Sequence, residues 1–152
     1  MKNSLVTPWW TPAKIVRGSL AFAVGSALIY FGLDLLGVHI ELFSGISYFN
    51  LTWFVGLFLL PAFSGFIVAG LYGLGGKILA YFPPVPVLAF DYYSSLHASH
   101  LPVGAQLMPL GWWGFFLILA IESAAIGGVF GEVLNKRIYR QDEEAHESSE
   151  EQ

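Results

Sequence analysis

MPLGWWGFFLILAIESAAIGGVFGEVLN, residues 108–135, is the stretch that decides the fold class. It is apolar over more than the roughly 20 residues that a helix needs to cross a bilayer, so we interpret it as a membrane-spanning helix. Glu122 stands near its middle. A lone carboxylate at that depth is costly in lipid and is usually paired, neutralised or placed in a wet cavity. Glu122 is therefore the first candidate for a functional or partner-binding residue.

The two faces of this helix differ. Glu122 projects from one face together with Ala125, Ile126 and Val129, at about 100° per residue. The opposite face carries small residues, which let another helix approach closely. These are Ala120, Ala124, Gly127, Gly128 and Gly131. Because the faces point in opposite directions, the helix needs neighbours on both sides, and we expect other membrane subunits or self-association to supply one of them.

The composition of the whole chain agrees with a membrane protein. Of its 152 residues, 55% are hydrophobic and 12% are charged, whereas about a quarter are charged in soluble domains. The absence of cysteine excludes disulfides, thiolate metal sites and cysteine nucleophiles. Seven scattered basic residues form no patch for nucleic acid. The fold class is therefore an all-α integral membrane protein with the lipid bilayer as a partner, and no pattern predicts a cofactor.

A first membrane span covers residues 15–37. Gly18, Gly25 and Gly32 recur every seven residues and fall on one stripe, which predicts close approach of another helix. Asp34 lies on the other side of the helix near its far end. We interpret Asp34 as a carboxylate at the membrane interface, and it is the second polar candidate after Glu122.

A second span covers residues 51–73. Trp53 at its start is predicted to anchor the helix at the interface, and Pro61 is predicted to kink it. Small residues recur every fourth position and predict a second close-packing edge. They are Gly65, Ala69 and Gly73.

The segment 78–93 is ambiguous. Thirteen apolar residues at its start are too few for a helical span. Pro83, Pro84 and Pro86 predict an extended, polyproline-like path that needs protein cover, because lipid cannot hydrogen-bond to exposed backbone. The segment is a Pro-broken fourth crossing, a re-entrant loop or a cover on the surface.

The distribution of charge predicts the threading. The connections 38–50 and 91–107 contain no Lys or Arg, so all basic residues can lie on one side, and the positive-inside rule puts both termini in the cytoplasm of a plasma (inner) membrane. An even number of crossings is then required, which favours four. We expect an interfacial segment 1–13 with two tryptophans, a transmembrane domain 14–135, and a cytoplasmic, acidic, disordered tail 136–152.

The other polar groupings are weaker. His97 and His100 have a spacing that places both rings on one helical face, and with Asp91 they form the one metal-like group in the sequence. Glu132 precedes Lys136 by one turn, which predicts a structural ion pair.

Three functions remain open from the sequence. The first is a non-catalytic accessory or structural subunit of a larger membrane complex, packed through its glycine and alanine faces. The second is a small oligomeric transporter or channel-type protein that uses Glu122 as an intramembrane proton or cation site. The third is a membrane enzyme or metal protein that uses the loop with His97 and His100.

Overall fold

The computed structural model describes residues 11–150, without the side chains of residue 139 and residues 141–150. Three of its helices are long and apolar enough to cross a membrane, which confirms the predicted helical class and its three long apolar helices. The predicted interfacial segment 1–13, with both its tryptophans, lies almost wholly outside the described residues. The elements in chain order are α1 (Pro12–Leu36), β1 (Leu42–Phe43), α2 (Leu51–Tyr72), α3 (Gly76–Leu79), α4 (Pro84–His97), β2 (Gln106–Leu107) and α5 (Leu110–Glu150).

Helices α1 and α2 pack through the glycine stripe of α1. A methyl group at Gly25 would collide with Val68, and the Ser64 hydroxyl donates to the Gly25 carbonyl oxygen over 2.9 Å. A methyl group at Gly32 would collide with the side chain of Leu60, which also belongs to α2. The stripe therefore lets the two backbones approach closely enough for a side chain to bond directly to a main-chain carbonyl.

Helix α2 accommodates Pro61 with a wider turn. Its residues Val55–Leu59 are π-helical, and the Leu60 N–H donates to the Val55 carbonyl five residues back. Proline has no N–H and its ring clashes with the preceding turn. The π turn gives the ring room, so the irregularity in α2 has an identifiable cause in the sequence.

Trp53 is part of the core, so the prediction that it anchors α2 at the interface is wrong. It is 2% exposed. Its ring packs edge-on against Phe49 at 4.7 Å and against Phe116 at 4.9 Å. The aromatic partners come from the preceding connection and from α5, and no pattern within α2 reveals them.

Helices α2 and α5 run parallel. The side chain of Asn135 donates to the Ala69 carbonyl oxygen over 3.0 Å, at the end where both apolar segments finish. The contacting positions rise together along the two helices, as Trp53 with Phe116, Ala62 with Gly127, and Phe66 with Gly131. Because α2 and α5 run in the same direction, the segment between them has to return along the length of the bundle.

Helices α3 and α4 make this return. Gly76 lies against Ala69 near the end of α2. Helix α1 begins at the same end of the bundle, which we call the termini end. At the other end of the return, the Ser95 hydroxyl donates to the Glu41 carboxylate over 3.0 Å. We call this the loop end, since β1 and β2 pair there in antiparallel fashion.

The prolines of this segment start a helix, so the prediction of an extended polyproline-like path is wrong. Pro83 is the N-cap of α4, and Pro84 and Pro86 lie in its first turn. The first N–H groups of a helix have no partner within it. Proline lacks that N–H, and the Val85 N–H, which remains, donates to the Phe82 carbonyl oxygen over 3.1 Å. The prolines therefore begin the helix without unsatisfied donors.

Helix α5 does not end where its apolar face ends. It continues to Glu150 through most of the segment for which the composition predicts a disordered tail. Continuing an existing helix needs no new nucleation, and Glu, Gln, Ala and Arg are good helix formers. The ion pair predicted at the start of this extension is confirmed, with Lys136 Nζ 3.0 Å from Glu132 Oε1.

Candidate functional site

Glu122 lies on the free face of α5. Glu122 is exposed, as are Ile118 one turn before it and Ile126 one turn after it. Among the described residues it has no hydrogen-bond or ion-pair partner. The fold of a single chain therefore leaves a carboxylate uncovered in the middle of an apolar helical surface.

The opposite face of α5 is packed against carbonyl groups of α2. A methyl group at Gly127 would overlap the Ala62 carbonyl oxygen, and one at Gly65 would overlap the Ala124 carbonyl oxygen. Only glycine permits contacts of this kind. Gly128 lies against the side chain of Ala80 in the returning segment, where an added methyl group would come within 2.7 Å of the Ala80 Cβ. This face of α5 has its neighbours within the chain.

Two residues differ from their predicted placement. Ala125 is 5% exposed, so it belongs to the packed side of α5 and not to the Glu122 face. Gly73 makes no helix contact, since a methyl group there would meet nothing within 4 Å; its φ of 91° ends α2 instead. A left-handed φ of this kind is open to glycine at little cost. The other glycine and alanine positions predicted for packing face neighbouring elements.

A second polar cluster lies at the loop end. Glu41 is 2% exposed. Its Oε1 accepts from the Ser95 hydroxyl and lies 3.3 Å from His39 Nδ1. Its carbonyl oxygen accepts from the Met108 N–H over 2.8 Å. Glu41 therefore ties together the β1 connection, α4 and the start of α5.

His39 and Tyr48 form the outer part of this cluster. The His39 N–H donates to the Tyr48 hydroxyl over 2.9 Å, and that hydroxyl donates to the His39 carbonyl oxygen over 3.2 Å. The hydrogen bond to Glu41 raises the pKa of His39 above its ordinary value of 6.5. Burial raises the pKa of the Tyr48 hydroxyl. The cluster holds the loops at this end together, because its polar groups form hydrogen bonds with one another and with the main chain.

The residues predicted as a metal group do not form one. His97 is exposed, and its Nδ1 lies 2.9 Å from the Tyr93 carbonyl oxygen. His100 is exposed and Asp91 is half-buried. Among the side chains that the structure describes, no three from His, Asp or Glu are placed to hold a metal ion. Asp34 is exposed in the last turn of α1.

Two grooves lie beside the helices, one at each end of the bundle. One, of about 690 Å³, lies at the termini end and is lined by Lys14, Tyr72 and Phe82 among others. The other, of about 430 Å³, lies beside β2 and is lined by aromatic rings that include Trp112. Glu122 lines neither groove. The carboxylate thus faces outward and not into an internal path.

Two polar residues of this arrangement, Ser64 and Ser95, were not predicted from the sequence, because neither carries a motif. Glu41 lies in a short, mostly apolar connection, and the sequence offered it or His39 only as a possible third ligand for the metal-like group of His97, His100 and Asp91. Ser64 could have been noticed because it is a small polar residue between Pro61 and Gly65, next to the predicted close-packing edge of α2. For the contact between Glu41 and Ser95 no local signal exists, because the two residues lie 54 positions apart in the chain.

The chain matches no protein-family model, and no match is found among curated proteins or solved structures.

Proposed function

We propose that the protein is a non-catalytic subunit of a larger integral membrane assembly that presents the free face of α5 to another chain. The observation that carries the proposal is Glu122, which is exposed and unpartnered on that face. Lipid offers neither a hydrogen-bond partner nor a counter-ion to a carboxylate at this depth. A neighbouring helix offers both and removes the cost.

The proposal includes four crossings with both termini in the cytoplasm of a plasma (inner) membrane. Its supports are the parallel packing of α2 on α5 and the return of the chain through α3 and α4. The break between α3 and α4 suits membrane depth, because Pro83 and Pro84 are buried there and add no free N–H group. A re-entrant loop would not bring the chain to the loop end.

A labelling experiment tests the threading. The chain has no cysteine, so Ser149→Cys and Ser99→Cys each give one reactive site. In intact cells, an impermeant thiol reagent is expected to label Ser99→Cys and to leave Ser149→Cys unlabelled until the membrane is opened. Labelling of both from outside would overturn the four crossings.

Purification of the native assembly tests the subunit function. After extraction in a mild detergent, the tagged full chain is expected to migrate well above its monomer size with a second protein in fixed proportion. The variant Glu122→Ala is expected to lose part of that association, and Glu122→Gln to keep most of it. Migration as a monomer under every mild condition would contradict the proposal.

The alternative of an oligomeric transporter predicts a different response to the same variants. An amide cannot release a proton, so Glu122→Gln would abolish flux in vesicles while assembly survives. No specific observation favours this alternative, since Glu122 lies outside both large grooves of the described helices.

A further inference from the structure

The free face of α5 forms a regular seam. Its exposed positions follow one another at intervals of three or four residues and average close to the 3.5-residue repeat of two packed helices. They are Phe115, Ile118, Glu122, Ile126, Val129 and Val133. We call this set the α5 seam. It is apolar except at Glu122.

We propose that a second copy of the same chain covers the α5 seam, in a parallel two-fold dimer whose two Glu122 carboxyl groups hydrogen-bond across the axis. The inference rests on the proposed function, because it names the first partner of the Glu122 face. A two-fold axis along the membrane normal brings each seam position to the same depth as its copy.

Polar complementarity selects the second copy. A protonated carboxyl group carries one O–H donor and a carbonyl acceptor, so two such groups satisfy each other without any other residue. The basic residues of this chain lie near the ends of its apolar helical segments or beyond them, so another face of a second copy offers no cation at the depth of Glu122. The seam of a second copy places a complementary carboxyl group at that depth.

The apolar part of the seam also suits a parallel pair. Ile118, Ile126, Val129 and Val133 are β-branched, and each is 45% to 58% exposed in the single chain. β-Branched side chains are typical of the core positions of packed parallel helices, and one polar residue among them fixes the register. The seam therefore has both an attractive surface and a feature that specifies one alignment.

Single-cysteine cross-linking in bilayers tests the proposal, because the natural chain is free of cysteine. The full chain carries Ile118→Cys, Ile126→Cys or Val133→Cys, and Ala27→Cys on the exposed side of α1 is the matched control. In vesicles under mild oxidation, the three seam variants are expected to form disulfide-linked dimers and the control is not. Equal cross-linking of the control, or none at the seam, overturns the dimer.

Energy transfer between labelled copies in vesicles measures the contribution of Glu122. Glu122→Ala is expected to raise the dissociation constant roughly tenfold, and Glu122→Gln to stay near the natural value because an amide both donates and accepts. Thermal unfolding in detergent checks that both variants keep the fold. An unchanged dissociation constant for Glu122→Ala contradicts the role of the carboxyl pair.

The outcomes separate this dimer from the proposed function. A native assembly that contains another protein but gives no seam cross-links refutes the dimer and leaves the proposed function standing. Seam cross-links in an assembly made of this chain alone support the dimer and refute the larger complex.

Discussion

Glu41 lies in a connection at the loop end and Glu122 at the middle of a helix long enough to cross a membrane, yet Glu41 is the buried one. The Glu41 carboxylate has Ser95 and His39 as partners, whereas the Glu122 carboxylate has none among the described residues. The fold supplies partners where its own elements meet. Where α5 faces outward, none of the described elements supplies a partner.

The largest expected effect comes from removing the partnered carboxylate. Glu41→Ala is expected to cost about 2–4 kcal/mol of unfolding free energy, because it leaves the Ser95 hydroxyl without its acceptor. Glu41→Gln keeps an acceptor and should cost less. The measurement is thermal or denaturant unfolding of the purified chain in detergent.

The matched control is Glu122→Ala under conditions where the chain is a monomer. It is expected to change the unfolding free energy by less than about 0.5 kcal/mol, as for an exposed site. A greater loss for Glu122→Ala than for Glu41→Ala would reverse the comparison between the two carboxylates.

A smaller effect is expected from adding one methyl group on the packed face of α5. In Gly127→Ala the new methyl overlaps the Ala62 carbonyl oxygen, so the helices must separate at a cost of about 1–3 kcal/mol. Gly114→Ala is the control in the same helix, because a methyl there meets nothing within 4 Å. The control should be neutral or gain up to about 1 kcal/mol from helix propensity. Equal melting temperatures for the two variants would show that α5 does not pack through its glycine face.

Two serines near the same contact between α1 and α2 extend the comparison between polar groups with and without a partner. Ser64→Ala removes the hydrogen bond to the Gly25 carbonyl and is expected to cost about 0.5–1.5 kcal/mol. The Ser26 hydroxyl is buried with no partner among the described residues. Ser26→Ala should therefore be neutral or stabilising in the same unfolding assay, and a loss equal to that of Ser64→Ala would contradict the assigned partners.

The smallest expected effect is a pH dependence at the loop end. The pKa of His39 is raised above 6.5 in the folded chain, so its stabilising contribution is complete below that value and is lost as the pH rises through the folded pKa. Because the imidazole is half exposed, the contribution is about 0.5 kcal/mol or less. Melting temperatures from about pH 5.5 to pH 8.5 should fall slightly more for the natural chain than for His39→Gln. If the natural chain instead gained more stability than His39→Gln as the pH rises over this range, the stabilising role of protonated His39 would be contradicted.

Periodicity predicted the helices and most of their packing edges. Gly25, Gly65 and Gly127 could be placed on close-packing faces because a helix repeats every 3.6 residues and small residues mark close contacts. Trp53 and Pro84 were misjudged for a different reason. Trp53 is buried by aromatic rings from other elements, and Pro84 lies at a helix start, where its missing N–H costs nothing.

The sequence by itself determined that the chain has three long apolar helices, that one of them carries a carboxylate at its middle, and that this carboxylate lies opposite a glycine face. These are local properties that follow from hydropathy and helical geometry. Only the tertiary structure decided which polar groups are satisfied. Glu41 meets Ser95 from a segment more than fifty residues away, and such a pairing depends on how the helices are assembled. The same assembly leaves Glu122 exposed, because the glycine side of α5 is the side that packs against α2 among the described residues.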